Sequence, residues 1–100
     1  MTKNKIPAPH PGEILMKEFM EPLGITQYRL AKDIHVSPMR INEIINGKRS
    51  ITVDTAVRLG IYFKMTPQFW LGLQNHFDLA VAEDKVEKHI YHEIKPYVAA

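Results

Sequence analysis

Apolar positions along this chain recur at three- and four-residue spacing, and one punctuation mark repeats between the runs. An apolar residue is followed by Ser or Thr, and a second apolar residue stands five positions after the first. Ile25-Thr26 precedes Gln27-Tyr28-Arg29-Leu30, and Val36-Ser37 precedes Pro38-Met39-Arg40-Ile41. Ile51-Thr52 precedes Val53-Asp54-Thr55-Ala56, and Met65-Thr66 precedes Pro67-Gln68-Phe69-Trp70. A hydroxyl at each N-cap can accept from an orphan backbone N–H. The flanking apolar pair forms a hydrophobic staple that fixes the entry angle of the helix. Pro38 and Pro67 fall at the first helical position, where a missing N–H costs nothing. A fifth start is expected at Pro11, running to about Met20 and ended by Pro22-Leu23-Gly24. Asn46-Gly47 offers a left-handed C-terminal cap.

These signals predict helices near 11–21, 27–33, 38–46, 53–63 and 67–82, with a weaker segment over 85–94. No alternating stretch bounded by turn residues predicts a strand. The expected fold class is all-α, a compact five-helix bundle. The expected organisation is a flexible N-terminal arm over 1–9, a helical domain over 10–83, and a helical or partly frayed segment over 84–100. Leu30, Ala31 and Ile34 should meet Ile41, Ile44 and Ile45 in the core. Phe69, Trp70, Leu73 and Phe77 form a stripe expected to supply the large core anchors, each worth roughly 1.5–3 kcal/mol when buried. Part of that stripe, or Leu79 and Val81 beyond it, is a candidate dimer seam.

The second and third predicted helices are joined by Ile34-His35-Val36, a turn of three or four residues. Two short helices joined in this way form a helix-turn-helix unit, whose second helix enters the DNA major groove. On a helical wheel Ile41, Ile44 and Ile45 share one face. Met39, Asn42, Glu43 and Asn46 lie opposite, with Arg40 on the flank. An ordinary amphipathic surface helix has the same pattern, but Lys48-Arg49 just beyond it would lie beside a phosphate strand. Arg40 could reach guanine or a phosphate, and Met39 a thymine methyl. Asn42 could read a base edge or hold a water. Glu43 could accept from a cytosine amino group or pair with Arg40 three residues earlier. Gln27, at the start of its helix, could hydrogen-bond a phosphate.

Charge sharpens this picture. The net charge of +2 over 100 residues is modest, but it is unevenly spread. Residues 1–25 balance to zero. Residues 26–64 hold seven bases against three acids, and residues 65–100 three bases against five acids. A basic middle favours a polyanionic partner. With no cysteine there is no disulfide or thiolate zinc site. The N-terminal stretch lacks the apolar core of a signal peptide, and no apolar run reaches the ~18 residues of a membrane span. A cytoplasmic location is expected. His89 and His92 with Glu87 and Glu93 match no protease zinc spacing, so no metal is expected. No Gly-rich phosphate loop or nucleophile motif is present, so neither a cofactor nor an enzymatic activity is expected. His10, just before Pro11-Gly12-Glu13, is a candidate cap for the first helix.

The segments HPGEIL (10–15), ITQYRLAKDI (25–34), INEIINGKRSIT (41–52), DTAVRLGIYF (54–63) and PQFWLGLQNHFDL (67–79) together resemble the HigA-type antitoxins of bacterial toxin–antitoxin modules. These belong to the phage-repressor-like (Xre/Cro) helix-turn-helix class, and the resemblance covers about residues 8–83. It implies a homodimer on a palindromic double-stranded operator that represses its own operon. It also implies a small partner toxin, typically a RelE-like mRNA-cleaving ribonuclease, neutralised by direct binding. Carried over by position, the family's DNA contacts fall on Gln27, on Ser37, Pro38, Met39 and Arg40, on Glu43, and on Asn46 to Arg49. Two positions depart from the pattern: His35 stands where Gly is common, and Met39 where a polar or basic residue is expected. The alternatives are a stand-alone repressor without a toxin, and an interaction module that inhibits a partner without binding DNA. The acidic balance of residues 65–100 would suit a basic RNA-cutting partner.

Overall fold

The structure is a computed structural model that describes residues 8–99, with side chains omitted over 84–88. All regular structure among these residues is helical. Helix α1 opens as Pro11–Ile14, widens to π geometry over Leu15–Met20 and closes through Glu21–Leu23. It is followed by α2 (Gln27–Ile34), α3 (Pro38–Ile45), α4 (Val53–Phe63) and α5 (Pro67–Glu93).

Each expected N-cap is present. The hydroxyls of Thr26, Ser37, Thr52 and Thr66 accept from the N–H groups of Arg29, Arg40, Thr55 and Phe69 at 3.0, 3.1, 3.4 and 3.3 Å. Helices α1 to α4 also stop in one way. Gly24, His35, Gly47 and Lys64 adopt left-handed backbone at φ 67, 62, 74 and 59°. The next N–H then reaches back five residues along the helix: Ile25 to Met20, Val36 to Ala31, Lys48 to Glu43 and Met65 to Gly60, at 2.8–3.0 Å. This is the Schellman closure. Ile25, Val36 and Met65 are also the apolar residues that precede the next N-cap. One residue therefore finishes one helix and staples the next, which explains how the connections can be so short.

The structure departs from the sequence reading in two places. Pro22 does not end α1 but sits within its last turn. The wide turn precedes it, with Glu21 N–H bonded to Met16 O, where a regular turn would drive the proline ring into the Glu18 carbonyl. The predicted 67–82 helix and 85–94 segment form one continuous helix of 27 residues, about 40 Å long. Residues 1–7 of the expected arm lie outside the described residues; 8–9 have no regular structure, and 95–99 have none beyond α5.

The core contains Leu15, Met20, Leu30, Ala31, Ile34, Ile41, Ile44, Ile51, Ala56, Leu59 and Trp70. Ile45 is half-buried beside Ile41 and Ile44, as the wheel predicted. Trp70 is fully enclosed and centres an aromatic cluster with Phe19, Phe63 and Phe69 at 4.9–6.2 Å. Leu73 and Phe77 are only half-buried, while Leu79 and Val81 are exposed. Beyond Val81 the described side chains of α5 are exposed.

Helix α1 packs on α3 closely enough to exclude any side chain at Gly12. A Cβ there would lie 1.8 Å from the Ile44 carbonyl oxygen. Helix α4 braces α2: Tyr62 donates to Asp33 at 2.6 Å, and Arg58 Nη1 donates to the carbonyls of Ile34 and His35 at 2.9 and 3.4 Å.

Candidate nucleic-acid interface

Helices α2 and α3 meet through Gly-free left-handed backbone at His35. Their buried faces present α3 outward as a complete unit. Ile41 and Ile44 are fully buried, which turns Met39, Asn42 and Asn46 to solvent. Met39 is 67% exposed, a large apolar side chain left uncovered by the described residues. Ser37 and Pro38 are exposed at the N-terminal end. There the Ser37 cap and the missing Pro38 N–H settle two of the helix's orphan positions.

Amides are linked across this face. Asn42 Nδ2 donates to Gln27 Oε1 at 3.2 Å, and Asn46 Nδ2 donates to Asn42 O and Oδ1 at 3.0 and 3.2 Å. The structure thus brings Gln27, from the start of α2, beside the middle of α3.

Glu43 does not pair with Arg40. Its Oε1 takes both Nε and Nη2 of Arg49 at 2.8 and 2.7 Å. The reversal of the chain at Gly47 brings Arg49 back to Glu43. The pairing neutralises the carboxylate that would otherwise repel phosphate. Arg40 turns to α4 instead: its Nη1 donates to Asp54 Oδ2 at 2.9 Å and to Thr55 Oγ1 at 3.4 Å. Asp54 Oδ2 also accepts from Arg58 Nε at 2.9 Å. Hydrogen bonds from Arg58, then from Arg40, hold the Asp54 carboxyl below the usual carboxylate range. Arg40, Arg49 and Arg58 converge with Asp54 on one cleft at the start of α4. Lys48 is exposed on the same connection.

Three residues that position this surface escaped the sequence reading. Gln74, buried on α5, accepts from the Ile51 N–H at 2.8 Å and donates to Asp78 at 2.9 Å, anchoring the connection that carries Lys48 and Arg49. A glutamine at helical spacing within the Trp70–Leu73–Phe77 stripe was the available signal. Arg58 shows in sequence only its four-residue spacing from Asp54, not its bonds to the Ile34 and His35 carbonyls, and Gly12 carried no signal, because these backbone partners lie more than twenty residues away. His10 caps α1 as expected, its Nδ1 accepting from Gly12 N–H at 2.9 Å. Its ring meets Phe77 edge-on at 4.9 Å. Burial lowers its pKa, partly offset by Asp78. Among the described residues no group of three or more His, Asp and Glu side chains is arranged to hold a metal ion. His89 instead lies 3.4 Å from Glu93. No helix among the described residues is long and apolar enough to cross a membrane.

Comparison with known proteins agrees with this geometry. The helix-turn-helix family model matches residues 16–70. Virulence-associated protein I of Dichelobacter nodosus is 53% identical over 81 residues, covering 81% of this chain and 75% of that protein. A solved HigA-family addiction-module antidote protein from Coxiella burnetii is 42% identical, with a TM-score of 0.87 over 92% of this chain and 100% of that one. The Pseudomonas aeruginosa antitoxin HigA, solved with the higBA promoter, is also 42% identical, with a TM-score of 0.87 over 91% of this chain and 99% of that one. With the capped α2–α3 unit and its outward-facing helix in place, the chain belongs to the Xre-type helix-turn-helix family, in its HigA antitoxin branch.

Proposed function

We propose that this protein is an antitoxin that represses its own operon by binding a palindromic operator as a homodimer, and that neutralises a RelE-like mRNA-cleaving toxin by direct contact. The observation that carries the DNA reading is the outer face of α3. Met39, Arg40, Asn42 and Asn46 lie there with Gln27, flanked by Lys48 and Arg49, on a helix whose other face is sealed in the core. The promoter-bound relative of the same fold supports it. In this reading Ser37, Lys48, Arg49 and Gln27 hold phosphates, Pro38 packs against the sugar-phosphate backbone beside them, and Met39, Arg40, Asn42 and Asn46 approach base edges. Glu43 orients Arg49 rather than touching DNA. A two-fold dimer would set the two α3 helices about 34 Å apart, one turn of DNA.

Toxin binding is assigned to residues 84–100. This segment continues α5, whose C-terminal half from Asp78 to Glu93 holds five acids against two lysines, and Ile90 and Ile94 are uncovered there. An acidic surface with apolar anchors fits a basic RNA-cutting protein.

Co-expression tests both parts. The small open reading frame beside the gene should arrest growth alone, be silenced by this protein and co-purify with it. Deleting residues 84–100 should abolish co-purification while DNA binding persists. A harmless neighbour that forms no complex would replace the antitoxin reading with that of a stand-alone repressor. On DNA from upstream of the gene, binding should fall steeply as salt rises, and Arg40→Ala should weaken it with the fold intact. Salt-independent or absent binding would refute the repressor reading.

A further inference from the structure

Arg40 lies at the third position of α3, and among the described residues only its Nη1 is engaged. That nitrogen is held by Asp54 at 2.9 Å and by Thr55 at 3.4 Å, and Thr55 is itself only 2% exposed. A guanidinium carries five N–H groups in a rigid fork. With Nη1 engaged by Asp54 and Thr55, the Nε–Nη2 edge remains whole, and the side chain is still 32% exposed. Asp54 is fixed in turn. Its Oδ2 is shared with Arg58 Nε, and Arg58 Nη1 is bound to the Ile34 and His35 carbonyls at the turn between α2 and α3. The chain of contacts runs from the turn through Arg58 and Asp54 to Arg40, all referenced to the frame that orients α3.

We propose that Asp54 is a positioning residue for operator recognition: it grips Arg40 by one edge and aims the free Nε–Nη2 edge at an acceptor in the sequence-specific DNA complex. An unheld arginine on the surface would sample many rotamers and lose that freedom on binding. Held from Asp54, the fork arrives pre-aligned for the bidentate geometry in which arginine differs from lysine. A carboxylate at a DNA-facing surface otherwise opposes binding. Here it lies between two guanidinium groups, so the cluster remains cationic. The inference rests on the DNA-binding reading above and adds a residue that touches no DNA itself.

The test is a double-mutant cycle on duplex DNA from immediately upstream of the gene and on a scrambled duplex of equal length. Asp54→Asn should weaken binding to the upstream duplex by about three- to thirtyfold, the range expected for coupled neighbours. Binding to the scrambled duplex should hold or tighten, since a negative charge has been removed. In an Arg40→Ala background the same substitution should change upstream affinity by less than about twofold. An equal loss in both backgrounds would overturn the proposal. So would tighter binding to both duplexes, the mark of a carboxylate that merely competes with phosphate. Arg40→Lys supplies a variant that leaves Asp54 in place. It should lose upstream affinity as far as Arg40→Ala does, and retained affinity would show that a point charge suffices. A wild-type protein with no preference for the upstream duplex would instead remove the DNA-binding reading itself.

Discussion

Gly12→Ala sets local propensity against tertiary packing, and the two predict opposite signs. Gly12 occupies the first turn of α1. Judged by propensity alone, alanine in a helix is better than glycine by up to about 1 kcal/mol. The structure forbids the methyl group. It would stand 1.8 Å from the Ile44 carbonyl oxygen, 2.6 Å from the carbonyl carbon and 2.9 Å from Ile45 Cα. Non-bonded carbon contacts need about 3.5 Å or more, so α1 and α3 must separate by well over an ångström. The obstacle is helical backbone with no rotamer to change. Overpacking costs typically about 1–3 kcal/mol, and this site belongs at the upper end. Set against the propensity gain, the net loss is about 2 kcal/mol. For a domain of this size each kcal/mol moves Tm by about 4–8 °C, so a drop of roughly 10 °C is expected in a far-UV circular dichroism melt. Gly72→Ala is the internal control, because a Cβ there meets nothing within 4 Å and the position is exposed. It should stabilise by about 0.5–1 kcal/mol. Gly12→Ala melting at or above wild type would refute the claimed α1–α3 contact.

Four further outcomes are expected. His10 is neutral in the fold, where it accepts the Gly12 N–H, and its pKa lies below the ordinary 6.5; the unfolded chain therefore takes up the proton first as pH falls. Its contribution is present above about pH 6.5 and declines below it, so urea midpoints should fall over that range and His10→Asn, which keeps a cap acceptor, should flatten the slope; parallel slopes would discount His10. Lys64→Gly places glycine at a left-handed position, φ 59°, and should raise stability by about 0.5–1 kcal/mol in urea unfolding. Arg58→Ala strips the donor from the Ile34 and His35 carbonyls and should cost about 1–2 kcal/mol, with operator affinity falling more than the melt explains. Trp70→Ala empties the centre of the aromatic cluster and should cost about 3–5 kcal/mol, enough to make a small domain only marginally folded; Trp70→Phe should be far milder because, among the described residues, the buried indole N–H has no acceptor to lose.

Helix starts were legible in the sequence because N-caps, staples and first-turn prolines are local, each signal lying within a few residues of what it controls. The same holds for the buried face of α3, which follows from the spacing of Ile41, Ile44 and Ile45. The stops were half legible. Gly24 and Gly47 announce left-handed caps, but Lys64 does not, since a lysine there is tolerated only because the Met65–Gly60 closure and the Thr66 cap fix the turn around it. The wide turn of α1 was also hidden. It depends on where Pro22 falls relative to a core that already holds Leu15 and Met20.

The sequence by itself determined five helices, their order, the helix-turn-helix pair and the residues offered outward on α3. Tertiary structure decided how those residues are held. Glu43 and Arg40 are three apart on one helix, yet each binds a partner from another segment, Arg49 and Asp54, because the reversal at Gly47 returns Arg49 to Glu43 while the start of α4 brings Asp54 to Arg40. Gly12, Arg58 and Gln74 matter through contacts with backbone atoms of distant segments. A backbone carbonyl or N–H is chemically the same at every residue, so no side-chain pattern along the chain marks which one a distant residue will meet. Only packing the helices against one another selects it.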